Sequence, residues 1–289
     1  MKFAVIGGDM RQVKLAELLA ADGHDVATFA LDKMRKIEGA AQLGTAKAAA
    51  AGAQVVVLPL PLASREGMLS ATLSAGLHTV REVLSALSPQ QIILAGRIDD
   101  ASREAADTLG LTLTDYFERE ELAVSNAVAA VEGALKIMIE ETPVTLWRAK
   151  CLVVGFGRIG KLLSHRLRSL GAHVTATARS HADLAWIRAY GYDSMETGKL
   201  DGRLGEYDFV VNTVPARVIS EARMRELKPD CLCLDLASKP GGMDFEAASK
   251  LAIHAVWALS LPGEVAPVTS GAIIRDTVYN ILGEKGMTL

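Results

Sequence analysis

The chain is poor in the residues that build metal centres, disulfide scaffolds and aromatic cages. Its 289 residues include 3 cysteines, 3 tryptophans, 5 tyrosines and 6 phenylalanines. Cys151, Cys231 and Cys233 form no CxxC and no Cys/His spacing suited to a metal, and each lies in or beside a β-like run. Cys231 and Cys233 alternate in CLCLDL, so they share one face of a strand and read as small core residues. A disulfide is not expected in a reducing compartment. The 6 histidines make no HExxH or comparable pair, and no metal is expected. No apolar run approaches the roughly 18 residues of a membrane span. The N-terminal MKFAVIGG lacks a signal-peptide layout, so the expectation is a soluble, cytoplasmic protein without membrane contact. Positive charge is not in excess either: 31 Lys and Arg face 34 Asp and Glu, a net −3 that argues against a nucleic-acid partner. An anionic ligand must then be held by local groups.

What is present is concentrated between Lys150 and Ser180, KCLVVGFGRIGKLLSHRLRSLGAHVTATARS. An apolar run leads into Gly155-x-Gly157-x-x-Gly160, a helical pattern follows, and a second β-like run covers Val174 to Ala178. Strand, glycine turn, helix and strand in this order are the dinucleotide-binding arrangement. Gly155 permits the tight turn, Gly157 lets a pyrophosphate approach the backbone, and Gly160 lets helix and strand pack closely. Phe156, Arg158 and Ile159 complete the turn, Arg158 within reach of a pyrophosphate. An NAD site wants an acid about 20 residues past the glycines. Ala178-Arg179-Ser180 stands there, with no acid until Asp183. A guanidinium and a hydroxyl suit a 2′-phosphate, which selects NADP as the expected cofactor.

Around this unit the pattern is α/β throughout: two doubly wound parallel-sheet domains joined by a long helix. Short strands are expected at Phe3–Ile6, Val26–Phe29, Val55–Leu58 and Ile92–Ala95, with a helix over 11–22. These place a substrate domain at 1–122. Val124, Val128, Val131, Leu135 and Met138 recur at helical spacing and predict a packed linker helix at 123–143. The NADP domain follows at 144–268, and a helical segment at 269–289 is expected to pack back at the junction. A cleft between two such domains is a natural substrate site. Further strands at Phe209–Thr213, Cys231–Asp235 and Ile253–Ala258 run into loops with marked chemistry. Ligands bind at the carboxyl ends of strands in this architecture, so Asn212, Thr213, Val214, Pro215, Leu236 and Ala237 are expected to line the cofactor.

The two-domain plan resembles the D-2-hydroxyacid dehydrogenases, which carry a histidine after the last cofactor-domain strand to handle the hydroxyl proton. Here that loop reads ALSLPGEVAP, without histidine, and His254 reads as a structural residue of the strand. AVIGGDMRQ, AVEGAL, VVGFGRIG with TARS, FVVNTVP, LDLASKPGGMDF and LPGEVAPVTSG, in this order, carry a closer resemblance. Over almost its whole length the chain is similar to the family of dipicolinate synthase A-type subunits from spore-forming bacteria. That resemblance implies NADP-dependent oxidation of dihydrodipicolinate to dipicolinate and a flavoprotein-like partner, the B-type subunit of dipicolinate synthase. A small dicarboxylate is then the substrate, and a homo-oligomer is compatible with it. Two alternatives stay open: a 2-hydroxyacid-type dehydrogenase lacking its histidine, and a non-catalytic NADP-binding regulatory protein.

Aromatising a dihydropyridine ring needs two carboxylate anchors, a flat slot beside the nicotinamide and a modest base, so positioning carries much of the catalysis. Gly8, Asp9 and Arg11 stand where a helix opens and its amides can meet an anion. Lys239 and Ser238 occupy a loop roughly where the dehydrogenases carry an arginine and are expected to bind a carboxylate. Lys239 and Glu132 are the candidate catalytic residues, Glu132 at the margin of the linker helix's apolar stripe.

Overall fold

The computed structural model describes residues 1–65 and 67–287, so the last two positions of the expected 269–289 segment lie outside it. The described residues divide into two compact units. Residues 1–126, with the segment from Ala266 onward, form the first, and Ala127–Val265 the second.

In the first unit, strands β1 (Lys2–Ile6), β2 (Asp25–Phe29), β3 (Ala40–Gln42), β4 (Val55–Val57), β5 (Ile92–Ala95) and β6 (Leu113–Asp115) form one sheet. Its order is β3-β2-β1-β4-β5-β6, and every pairing is parallel. Between them run α1 (Met10–Ala21), α2 (Ala46–Ala50), α3 (Val80–Leu84) and α4 (Asp100–Thr108), and after β6 comes α5 (Glu120–Glu140). The strand period of two sends Phe3 and Val5 to one face, against Val13, Leu15 and Leu19 of α1. Ala4 and Ile6 go to the other face, against Leu84 of α3 and Ala106 of α4. Burial on both faces explains why these strands read as continuous apolar runs.

The second unit repeats the plan. Its elements are β7 (Lys150–Val154), α6 (Arg158–Ser169), β8 (His173–Ala178), α7 (His181–Ala189), β9 (Asp193–Glu196), β10 (Phe209–Asn212), α8 (Glu221–Met224), β11 (Leu232–Asp235), α9 (Phe245–Lys250), β12 (Ala255–Trp257) and α10 (Leu261–Val265). The sheet order β12-β11-β10-β7-β8-β9, again parallel, is that of the dinucleotide fold read from the first strand outward. Cys151 and Val153 pack under Leu163 and Leu167 of α6, while Leu152, Val154, Cys231 and Cys233 pack on the opposite face. All three cysteines are buried and free.

Helix α11 (Pro267–Glu284) returns to the first unit and lies on α1. Gly271 makes the close approach possible: a Cβ there would stand 2.8 Å from the Lys14 Cβ and 2.9 Å from the Arg11 carbonyl oxygen. The boundary between the units falls inside α5, which gives Leu122 to the first core and Val131, Ala134 and Met138 to the second. The expected apolar stripe is therefore corrected at two positions. Val124 is 42% exposed and Val128 36%, because alanines at 127, 130 and 134 carry the inward face instead. This helix is long and apolar enough to cross a membrane by length and composition, contrary to the expectation that no segment would be. Its apolar residues are partly used in the two cores.

Candidate functional site

Each unit has a turn between its first strand and first helix, and the two turns are chemically opposite. In the second unit Gly155 adopts φ +100°, a region glycine tolerates, and Gly157 is the N-cap of α6 with no side-chain hydrogen bond. The amides of Phe156, Gly157 and Ile159 donate to no described group. A Cβ on Gly157 would meet nothing within 4 Å, whereas a Cβ on Gly160 would lie 2.1 Å from the Gly155 carbonyl oxygen. The turn is thus open above and tightly packed below. The buried Thr177 hydroxyl accepts from the Gly155 amide at 3.3 Å and lies 3.0 Å from the Thr197 hydroxyl. Open amides at the start of a 12-residue helix suit a pyrophosphate, so the residues present fit a dinucleotide.

The first unit closes the equivalent turn on itself. Asp9 is the N-cap of α1: its carboxylate accepts from the Arg11 amide, and the Gln12 side chain accepts from the Asp9 amide at 3.2 Å. The Gly7 and Gly8 amides donate to Phe29 and Ser70 carbonyls. The buried Arg11 guanidinium grips Asp9 through Nε and Nη2 and also donates to the Leu60 carbonyl. At the expected anion seat of Gly8, Asp9 and Arg11, the Gly8 amide and the Arg11 guanidinium are thus paired within the protein. The sequence signal was available: Asp9-x-x-Gln12 has the spacing of a capping box.

At the end of β8, Ala178 is buried and Arg179 is exposed, with no hydrogen bond or ion pair among the described residues. Ser180 caps α7, accepting from the Asp183 amide and donating to the Asp183 carboxylate at 2.7 Å. The Ser180 hydroxyl is therefore engaged with Asp183, beside the exposed Arg179 guanidinium.

The loops after β10 and β11 are tied together by a buried pair. Asn212 and Asp235 face each other in the sheet register, both fully buried. Asn212 donates to Asp235 at 2.7 Å and to the Val214 carbonyl, and it accepts from the Val214 amide. Asp235 also accepts from the amides of Ala237, Gly242 and Met243. Asn212 therefore ties the two strand-end loops together. Thr213 donates to the Val154 carbonyl and packs against Gly155, beside half-buried Val214 and exposed Pro215. Leu236 and Ala237 are buried, and the Trp257 indole donates to the Ala237 carbonyl at 3.0 Å. From this anchored base Ser238 and Lys239 project into solvent, and Lys239 forms no ion pair with a described residue. His254 lies just ahead of β12, at the end of the sheet away from these loops, and pairs with Glu141 at 3.0 Å. Glu132 is exposed on α5 and in no ion pair, while Gly133 beside it packs on Leu261.

Residues 2–117 match the model of the N-terminal domain of the dipicolinate synthase A-type subunit, and residues 108–237 that of the D-isomer specific 2-hydroxyacid dehydrogenase NAD binding domain. The chain is 31% identical to the A-type dipicolinate synthase subunit of Bacillus subtilis (strain 168), over 98% of its own length and 96% of that protein's. It belongs to the family of dipicolinate synthase A-type subunits. The crystal structure of that Bacillus subtilis protein superposes with a TM-score of 0.87 at 30% identity, covering 98% and 96% of the two chains. The corresponding protein from Bacillus halodurans gives a TM-score of 0.90 at 27% identity, over 97% of each chain. A transhydrogenase from Sinorhizobium meliloti, at 18% identity and a TM-score of 0.72, shares the fold. Within the dipicolinate synthase family, then, the second unit is a nicotinamide-dinucleotide domain of dehydrogenase type, and the chain is an oxidoreductase subunit.

Proposed function

We propose that this protein oxidises dihydrodipicolinate to dipicolinate with NADP as hydride acceptor, as one of two subunits of a cytoplasmic enzyme serving spore formation. The observation that carries the reading is the chemistry of the strand-end loops. Asn212–Pro215, Leu236–Gly242 and Ser260–Gly263 contain no histidine, and His254 is engaged with Glu141 at the other end of the sheet. A hydroxyacid dehydrogenase needs a group to take the hydroxyl proton. Aromatisation does not, since a ring C–H bond gives up a hydride and a second ring position gives up a proton to water or a weak base. Bound NADP supplies the hydride acceptor. The open turn from Gly155 to Gly160 holds its pyrophosphate, and Arg179 selects the 2′-phosphate. Lys239 and Ser238 bind a substrate carboxylate, on a loop that Asp235 keeps in place. The relatives' designation as the A-type component supports a second subunit, which we assign as the flavoprotein-like B-type one.

Lys239→Ala tests the anchor: the KM for dihydrodipicolinate should rise about tenfold with little change in the NADP affinity. A charge-assisted contact is worth about 1.5–3 kcal/mol. Reduction of 2-oxoacids by NADPH, with no pyridine product from dihydrodipicolinate, would instead mark a hydroxyacid dehydrogenase.

A further inference from the structure

The charge of this chain is unevenly distributed. Residues 148–192 carry eight Lys and Arg against one acid, Asp183, in a chain whose net charge is −3. Arg158 and Arg179 belong with the dinucleotide, and Lys150 pairs with Glu206. Arg148, Lys161, Arg166, Arg168 and Arg188 form no ion pair with any described acid, although many of the chain's other cations do.

Lys161, His165 and Arg168 fall at i, i+4 and i+7 of α6 and make one exposed basic stripe. On α7, Trp186 and Tyr190, again four apart, stack with their ring centroids 5.7 Å apart. They are 56% and 57% exposed. Two contacts link the stripes. The Lys161 ammonium sits 5.6 Å over the Phe156 ring, and the Phe156 and Tyr190 ring centroids lie 6.3 Å apart. Phe156 and Tyr192 lie buried beneath this face, so its exposed aromatic surface is Trp186 and Tyr190. Exposed Trp and Tyr next to a basic stripe resemble the composition of interface hot spots. These exposed cations have no acidic partner among the described residues, which leaves them available to carboxylates of another molecule.

We propose that the α6/α7 face is the docking surface for an acidic protein surface, that of the second subunit. The inference rests on the reading of this chain as one half of a two-subunit dipicolinate synthase. Carboxylates of the partner pair with Lys161 and Arg168, and an apolar contact covers Trp186 and Tyr190. Pairing of this kind raises the association rate and makes affinity fall with salt.

Isothermal titration of the full-length protein with the purified B-type subunit tests it, using wild type, Lys161→Glu/Arg168→Glu, Trp186→Ala/Tyr190→Ala and the conservative Lys161→Arg/Arg168→Lys. Each disruptive pair should weaken binding at least about tenfold. The charge reversal should also flatten the salt dependence, and the conservative pair should bind like wild type. Thermal unfolding should stay unchanged in all variants and NADP affinity in Trp186→Ala/Tyr190→Ala, which separates docking from folding. Equal binding by all four proteins would overturn the docking face while leaving the two-subunit reading intact. No binding by wild type would overturn both. Binding of a single-stranded oligonucleotide, or self-association, lost in the same variants while binding to the B-type subunit persists, would replace the acidic protein with that occupant.

Discussion

Asp9 and Gly157 occupy the same place in the two units: each is the N-cap of the helix that follows the central strand. One supplies a carboxylate that fills its own turn, and the other supplies no side chain and leaves the turn open. The same sheet order thus carries two opposite electrostatic solutions, and only the second suits an anionic cofactor. Asp9→Ala should destabilise the protein by about 1–3 kcal/mol, through loss of the cap and of the charge facing the buried Arg11 guanidinium. Asp9→Asn keeps the cap and should cost less. Urea unfolding measures both, and dinucleotide affinity should not change in either.

Gly160 is the tightest glycine of the open turn. A methyl group 2.1 Å from the Gly155 carbonyl oxygen has to push α6 away from the strand end. Gly160→Ala should abolish measurable NADPH binding by fluorescence titration and lower stability by about 1–3 kcal/mol. Retained affinity would mean that the pyrophosphate does not use this turn.

Arg179 is the test of cofactor choice. Its guanidinium has no partner among the described residues, and Ser180 bonds Asp183. Arg179→Ala should weaken NADP about 10- to 100-fold and NAD hardly at all, in line with a hydrogen bond to a charged group. Equal losses for both would remove the basis for NADP.

The strand–turn–helix–strand unit was legible because three glycines and an apolar run state its chemistry locally. The central strands of both sheets were legible too, since doubly buried strands have no polar alternation to hide, whereas the more exposed edge strands β3, β6 and β9 carried no such run and were not expected. Asn212 was not, because its role depends on β11 bringing Asp235 opposite it in the register. Val124 and Val128 were misplaced for a similar reason. On α5 small alanines, not the larger valines, face the cores, and helical spacing alone cannot rank two apolar faces. The Asp9 cap was written in the local sequence and was overshadowed by the adjacent glycines, which suggested an anion seat.

Cysteine chemistry gives a pH dependence. Burial, with the Asp208 carboxylate and Cys231 nearby, pushes the Cys151 thiol up to about 12 from an ordinary value of 9.0. A thiol that ionises less readily when folded contributes stability that is fully present below the unfolded value and is lost as pH rises through the folded one. Wild-type stability should therefore fall more steeply between pH 9 and 12 than that of Cys151→Ala, by urea unfolding. Thiol reagents should label the native protein only as fast as it unfolds.

The most direct test of the central claim follows both products of a single reaction. The protein, supplied with its B-type partner, NADP and dihydrodipicolinate generated in place, should form NADPH and pyridine dicarboxylate in equal amounts. Gly160→Ala should form neither above the uncatalysed rate. Pyridine dicarboxylate formed without matching NADPH, or formed equally well by Gly160→Ala, would contradict the assignment of the open turn in the second unit as the seat of the hydride acceptor.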